Sequence, residues 1–467
     1  MRDLSLRAFL EYLKEKNELV TIEKEVSIKH EIAAYIRKSC DIEGPAFLFT
    51  NVKDYPNRHV CGGVYGSKRR MGLAMGFNKK IELSPRESML EYVKAMENYS
   101  RGKQDFNTEQ VTSEFAPCKE VIETKPDLTK LTHCTYNEKD KGPFITAGVQ
   151  VVKDDIYGTH GIGIHRMNII DETHLSCLAP IERRVGKPYY RASEKDESIP
   201  ITILIGAPPA LMLASQAKIP HSDDKYAVMR ELQGGRILMT KCETSDILVP
   251  IDSEIVIEGH TIPNSSYDDT PFAEYCGVSS MRTNAWIVEV DCITHRAKPY
   301  IYNALLTGMP PQEDSNLCGV STSAYIFDDL RKGGSEILDV SVYLGNNVFD
   351  SWVSIKKRNN SEVLNLIYRA LGNNYIKTVT IVDDDIDVNS AYDRLYSWNT
   401  RVQPDRDLVI TGQMHGASLD PSGPLFRSTS KLGVDATIPI GTTKEDTLYN
   451  KLRHEKVRVP GSETIEW

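Results

Sequence analysis

Apolar side chains recur at Leu6, Phe9, Leu10 and Leu13, the i, i+3, i+4, i+7 spacing that gathers them on one helical face, while Glu11, Lys14 and Glu15 fall off that stripe. The spacing predicts an amphipathic helix over 4–16 and a short strand, Leu19–Ile22, after it. Helices are expected over 31–38 and 87–98, making 1–113 an α/β N-terminal region that closes in the polar stretch 98–113. From 144 to 305 the pattern changes to short β-rich runs, 144–152, 201–205, 237–239, 254–257 and 285–290, separated by Gly, Pro, Asn and Asp. Such runs read as a barrel or sandwich and fit a doubly wound sheet poorly. Beyond 305, helical stretches 361–370 and 391–399 flank a strand over 376–382 that runs into Asp383-Asp384-Asp385-Ile386-Asp387, a second α/β unit.

With 467 residues, 40% of them hydrophobic and 26% charged, the chain has the composition of a globular protein of two or three domains. A net charge of -9 with no Lys/Arg block argues against nucleic acid as a partner. Nowhere do 18 uncharged apolar residues run together, and the N-terminus opens on an amphipathic pattern, so the expectation is a cytoplasmic protein without a membrane span. Nine scattered cysteines, never in a Cys-x-x-Cys pair, are expected as free thiols, not as a zinc site or a disulfide framework.

Three segments carry candidate chemistry. Gly158-Thr-His-Gly-Ile-Gly-Ile-His-Arg-Met167 is glycine-dense after a strand, which suits close approach of backbone to a phosphate or a flat ligand, but it lacks the G-x-G-x-x-G spacing and the βαβ context of a dinucleotide site. Asp268-Asp269-Thr-Pro-Phe-Ala-Glu274 sets two carboxylates five residues apart around a Pro-Phe turn, either as a pair in one cleft or as a solvated acidic loop. The Asp383–Asp387 run offers oxygen ligands to a hard cation, or is a solvated strand end.

Taken in order, these segments resemble the UbiD-like decarboxylases over nearly the whole chain. The anchors include Gly44-Pro-Ala-Phe-Leu-Phe, Ile145-Thr146-Ala-Gly, Gly163-Ile-His-Arg166-Met, Ile205-Gly-Ala-Pro-Pro-Ala, Ser253-Glu-Ile-Val-Ile-Glu-Gly259, Thr270-Pro-Phe-Ala-Glu-Tyr-Cys-Gly277, Lys377 with Val382-Asp-Asp-Asp-Ile-Asp387, and Ser430-Lys-Leu-Gly-Val-Asp-Ala-Thr437. The resemblance implies a mixed α+β and α/β fold: a central split β-barrel of flavin-reductase type over 114–305, after the N-terminal region 1–113, and a linker helix with an α/β oligomerisation domain over 306–467. It implies reversible, non-oxidative decarboxylation of an aromatic, heteroaromatic or α,β-unsaturated acid with prenylated FMN as electron sink, a flavin prenyltransferase as supplier, and a homodimer or homohexamer. The alternative is a UbiD-like subunit without flavin chemistry of its own, in a multi-subunit carboxylase or as a scaffold.

By motif position the resemblance implies Arg166, Asp269 and Glu274 as the catalytic set, with Asp268 as fallback for the shorter Asp269, and cofactor contacts from Thr146, Gly161, Arg183, Pro220, Lys225 and Lys377. The family's divalent metal, manganese or magnesium, is held by Asn, His and Glu. Here those positions read Gly161, Arg183 (Arg184 if one residue is slipped) and Lys225, so the metal ligands are unknown. Either the cations replace the metal at the flavin phosphate, or the phosphate site is degraded, or displaced ligands among Asp223, Asp224, Glu182, His165 and His174 take over.

Overall fold

The computed structural model describes residues 3–102, 108–280, 284–297, 299–342, 347–423, 428–457 and 459–460. Helix Leu6–Glu15 buries Leu6, Phe9, Leu10 and Leu13 and starts at Ser5, whose side chain accepts from the Ala8 amide. Helix Pro85–Arg101 opens on a capping box between Ser84 and Glu87, with proline in its first turn. Helix Glu31–Asp41 and strand Leu19–Ile22 also form. Residues 103–107 of the polar stretch lie outside the described ones.

The described residues form two compact units, one running to Tyr325 and the other from Ile326 on. The first is organised around a seven-stranded antiparallel sheet. Its strands follow the order His174–Cys177, Trp286–His295, Ile255–Thr261, Pro200–Ile205, Val149–Lys153 and His160–Ile164, with Val121–Glu123 on the far end of Trp286–His295. Strand Pro200–Ile205 is buried on both faces after its first residue, as a strand covered on both sides must be. At Gly259 the register shifts, and an added Cβ would meet the Glu289 carbonyl at 2.2 Å, so the bulge needs glycine. Ile201, Ile203, Ile255, Ile257, Trp286, Val288, Met167 and Leu175 share one core, with Trp286 stacked on Tyr189 at 4.3 Å.

Two features depart from the sequence expectation. Among the described residues the ladders stay open between His160–Ile164 and His174–Cys177, so the sheet is not the closed barrel that barrel-like patterning suggests. The middle region also carries three helices, Gly186–Ser193, Pro209–Ser215 and Lys225–Gln233, which the β-rich reading passes over. Helix Pro209–Ser215 is buried at nearly every position and therefore shows no polar face to betray a helical period.

The second unit holds a five-stranded mixed sheet in the order Ile337–Ser341, Asp350–Ile355, Thr378–Asp383, Ser428–Ala436, Leu408–His415, with helices Asn360–Leu371 and Ala391–Arg401. The aspartate run at its third strand is answered by protein: buried Arg401 binds Asp383 at 3.2 Å and Asp385 at 2.9 Å. No helix among the described residues is long and apolar enough to cross a membrane.

Candidate active site

Arg166 follows strand His160–Ile164 in the first unit, where the Gln150 side-chain amide donates to the His165 carbonyl at 2.9 Å and fixes the chain just before it. The acidic turn arrives from the other side. Asp268 caps it by accepting from the Thr270 amide at 3.1 Å and hydroxyl at 2.6 Å. The turn then closes through Gly277, at φ +84, whose amide donates to the Glu274 carbonyl. This local geometry aims Asp269 and Glu274 at one guanidinium. Arg166 Nε and Nη2 donate to the two oxygens of Asp269 at 2.8 and 2.7 Å, and Nη1 donates to Glu274. The Phe272 ring lies 5.0 Å from the guanidinium carbon.

The two carboxylates are not equivalent. Asp269 is wholly buried with both oxygens on Arg166, whereas the Glu274 side chain keeps 12% of its surface. Burial works against the charge on Arg166, but its bonds and attraction to Asp269 and Glu274 win and raise its pKa. The two-toothed grip of this guanidinium is thus made with Asp269. Asp268 is exposed, and the Thr270 bonds lower its pKa, so it stands outside the cluster.

A second cluster, of opposite sign, gathers around helix Lys225–Gln233. Asp224 caps this helix at the Tyr226 amide (2.9 Å) and also holds the His160 ring (2.7 Å) and amide (2.9 Å), which docks the helix on strand His160–Ile164. Lys225 is buried at its start and its ammonium donates to the Ser215 carbonyl. Burial, then the charges of Arg184 and Arg183, push Lys225 down to about 7. Lys218 is depressed to about 8 by burial, with Arg183 adding to it, and His165 to about 3 by burial, Arg183 and Lys225. Arg184 is spent on the carbonyls of Asp223 (2.8 Å), Ile219 (3.3 Å) and Pro220. Arg183 adds its charge to both lysines, and Arg184 acts on Lys225 as well. Gly161 permits the arrangement, because a Cβ there would stand 2.6 Å from the Arg184 carbonyl.

The remaining expected positions sort as follows. Thr146 is buried and donates to the Tyr136 hydroxyl at 2.8 Å. Lys377 belongs to the second unit, bound to Asp420 at 2.8 Å. Asp223 and Asp224 are engaged by Tyr99 and by the helix cap, and His174 by Asp171 at 2.9 Å. Among the described residues no group of three or more His, Cys, Asp or Glu is arranged to hold a metal ion. Lys218 is the residue that sequence reasoning missed. It sits in Gln216-Ala-Lys-Ile-Pro220, after a helix with no visible period, and nothing in its spacing sets it apart.

The chain matches the 3-octaprenyl-4-hydroxybenzoate carboxy-lyase N-terminal domain over residues 10–95, the Rift-related domain over 109–310 and the C-terminal domain over 315–436. An uncharacterized protein of Archaeoglobus fulgidus is 30% identical over 443 residues, covering 92% of this chain and 91% of that one. The UbiD-class enzyme HmfF of Pelotomaculum thermopropionicum, solved with FMN, superposes with a TM-score of 0.88 at 28% identity, covering 99% of both chains. Vanillic acid decarboxylase of Sedimentibacter hydroxybenzoicus in its open form does so with 0.84 at 26% identity, over 99% of this chain and 98% of that one. With three successive domain matches and a relative aligned along nine-tenths of its length, this chain belongs to the UbiD family of carboxy-lyases.

Proposed function

We propose that this protein removes or adds carbon dioxide on an aromatic, heteroaromatic or α,β-unsaturated carboxylic acid, with prenylated FMN as cofactor. The observation that carries the reading is the Arg166–Asp269–Glu274 cluster, assembled from two distant segments and set in the same unit as the cationic cluster. HmfF has been solved with FMN and with prFMN, and the Sedimentibacter relative is a vanillic acid decarboxylase. A complete acid–arginine–acid set favours the enzyme over a subunit without its own chemistry.

The residues present fit the flavin phosphate. Such a monoester carries about -1.5 to -2 charges near neutral pH, and Arg183, Lys218 and Lys225 offer positive charge that disfavours itself until an anion arrives. They do not fit the family's metal, because Gly161, Arg183 and Lys225 supply no carboxylate or imidazole and add like charge. No step therefore runs through a metal. Thr146, Gly161 and Pro220 border the same site in this reading, and the open sheet serves as the split-barrel flavin platform.

When bound, the modified flavin supplies an electron sink for the pair left behind as the carbon–carbon bond to carbon dioxide breaks. Arg166 orients Asp269 and Glu274, and orders the substrate carboxylate beside Glu274. Glu274, partly exposed, takes a proton from water and returns it to the carbon that lost carbon dioxide. Asp269, fully buried in its two-point bond, is a positioning residue. The 306–467 segment serves self-association, as a dimer or hexamer.

The test is to co-produce the chain with a flavin prenyltransferase and follow carbon dioxide release across aromatic and cinnamate-like acids. We expect a flavin-coloured protein with activity on at least one acid. A flavin-loaded protein that neither releases carbon dioxide nor exchanges substrate hydrogen with heavy water overturns the proposal, and a colourless one restores the flavin-free subunit.

A further inference from the structure

Cys318 is partly exposed where the other eight cysteines are buried. It lies one turn beyond Asp314 on helix Glu313–Arg331, and its sulfur sits 3.7 Å from Asp314 Oδ1 and 3.3 Å from Gln216 Oε1. The two neighbouring acids at the start of this helix do different things. Glu313 is wholly buried and accepts from the backbone amides of Tyr65 at 3.1 Å and Leu306 at 3.0 Å, which makes it a strut. Asp314 keeps part of its surface exposed.

The start of the helix is fastened to the Glu274 turn. Gln312 donates its amide to the Tyr275 carbonyl at 3.0 Å, a side chain at Gly277 would touch Met309 Sδ at 3.1 Å, and Arg37 holds the carbonyls of Met309 and Pro311. Asp314 therefore stands close enough to Glu274 to feel its charge. Burial, then Glu274, raises the Asp314 carboxyl to about 6, with the Cys318 contact acting the other way and Glu313 adding to the rise. On its far side Cys318 feels the charges of Lys218 and Arg183. Cys318 thus bridges Asp314 and Gln216, with the charge of Glu274 acting on Asp314 and those of Lys218 and Arg183 acting on the thiol.

The decarboxylation mechanism above uses neither Asp314 nor Cys318. We propose that Asp314, backed by Cys318, is a specificity-determining residue that accepts a hydrogen bond from a hydroxyl or amino substituent on the substrate acid and turns away acids carrying a second carboxylate. This rests on the decarboxylase reading. Near neutral pH the Asp314 carboxylate is an acceptor without a proton to give. A phenolic or amino group satisfies it, a bare ring leaves it desolvated, and a second carboxylate meets like charge from both Asp314 and Glu274. Glu274 is paired with Arg166, so Asp314 carries the larger share of that repulsion.

Isothermal calorimetry at pH 7.5 on the FMN-loaded protein tests this with four probes: 4-hydroxybenzoate, 4-aminobenzoate, benzoate and benzene-1,4-dicarboxylate. Wild type should bind the hydroxy and amino acids about tenfold more tightly than benzoate, the size of one hydrogen bond to a charged acceptor, and the diacid most weakly. Asp314→Ala should bring the hydroxy acid level with benzoate. Asp314→Asn should admit the diacid, and Cys318→Ser should keep the wild-type order, with melting curves confirming that each variant is folded. An unchanged order in folded Asp314→Ala overturns the proposal, as does wild type that binds none of the four. Carbon dioxide release from the prenylated-flavin form is scored separately. Release with an unchanged order sinks only the Asp314 proposal; an order that shifts with Asp314 and no release from any acid sinks only the decarboxylase reading.

Discussion

The two ends of the proposed site handle buried charge in opposite ways. Around Arg166 every charge has its answer: one guanidinium serves two carboxylates, and the bonds raise its pKa in spite of burial. Around Lys225 burial, then the like charges of Arg184 and Arg183, depresses the lysine to about 7, and burial with Arg183 nearby depresses Lys218 to about 8. A buried pair that is already matched resists disruption, because removing one partner strands the other. A buried group of like charges is destabilising until an anion arrives, so it holds binding energy in reserve. The acidic end is thus preorganised for chemistry, and the basic end for taking up a ligand.

The sharpest way to break this contrast is to remove the charge that holds the acidic end together. Arg166→Ala should lower kcat/KM by 100-fold or more, on the order of 3–4 kcal/mol in the transition state. It should also lower the melting temperature, because the buried Asp269 loses both of its bonds to the guanidinium. Steady-state carbon dioxide release, read beside a thermal melt, separates the two losses. Normal kcat/KM in a folded Arg166→Ala variant would remove Arg166 from the mechanism.

Next in size is Glu274→Gln, which keeps the shape and a hydrogen-bond acceptor but holds no exchangeable acid proton. Turnover and deuterium uptake from heavy water should fall by about 100-fold or more, while Asp269→Asn, at the fully buried position, should cost stability as well as rate. If Asp269→Asn stops deuterium uptake in a fully folded protein and Glu274→Gln leaves it intact, the two roles are reversed.

At the basic end the effect on the free protein changes sign. Unfolded, Lys225 titrates near 10.4; folded, it titrates at about 7. Between those values the unfolded chain holds a proton the folded chain lacks, so the lysine's contribution becomes more favourable as pH rises, and its cost is full below about pH 7. Lys225→Met should therefore stabilise the flavin-free protein by a few kcal/mol near pH 6, and the gain should shrink toward pH 10. The same substitution should weaken FMN binding, measured by quenching of flavin fluorescence. In wild type that binding should itself weaken from pH 7 to 9, as Lys225 and Lys218 lose their protons. A variant that is destabilised at pH 6, or that binds FMN as wild type does, refutes the anion-clamp reading.

How much of this was legible in the sequence follows from how local each signal is. The helix at Leu6–Glu15 and the N-terminus at Ser84 rest on spacing and capping within a few residues, and both form. Helices Pro209–Ser215 and Lys225–Gln233 were hidden because the first is buried nearly all round and the second starts on a buried lysine, so neither has the amphipathic stripe that marks a surface helix. Arg166 and Glu274 were visible as motif residues, but their contact joins positions 108 apart and depends on how a turn meets a strand end. Counting left Arg183 and Arg184 open, and in the fold both charges act on Lys225, Arg184 while bound to three loop carbonyls. Asp314 follows Pro310-Pro311-Gln312-Glu313, where acids ordinarily mark a helix start, and only packing against the Glu274 turn gives it another part to play.

The smallest expected effect is a null one, and it discriminates because a divalent ion and the lysines compete for the same task. A metal beside Lys225 and Arg183 would pay repulsion at short range and find neither carboxylate nor imidazole at the three substituted positions. Asp224, the nearest acid in sequence, is committed to capping helix Lys225–Gln233 and to His160, so recruiting it would loosen the contact that docks the helix. Chelation by EDTA should therefore leave FMN affinity and carbon dioxide release unchanged, and elemental analysis should find far less than one manganese per flavin. Restoring ligands should invert the response: Lys225→Glu with Arg183→His should bind FMN weakly without metal and recover part of the affinity when manganese is added, since a carboxylate and an imidazole would then face the phosphate in place of two cations. Flavin stripped from wild type by EDTA would show that a metal holds the phosphate after all, and the lowered lysine pKa values would then have to be accounted for without an anion.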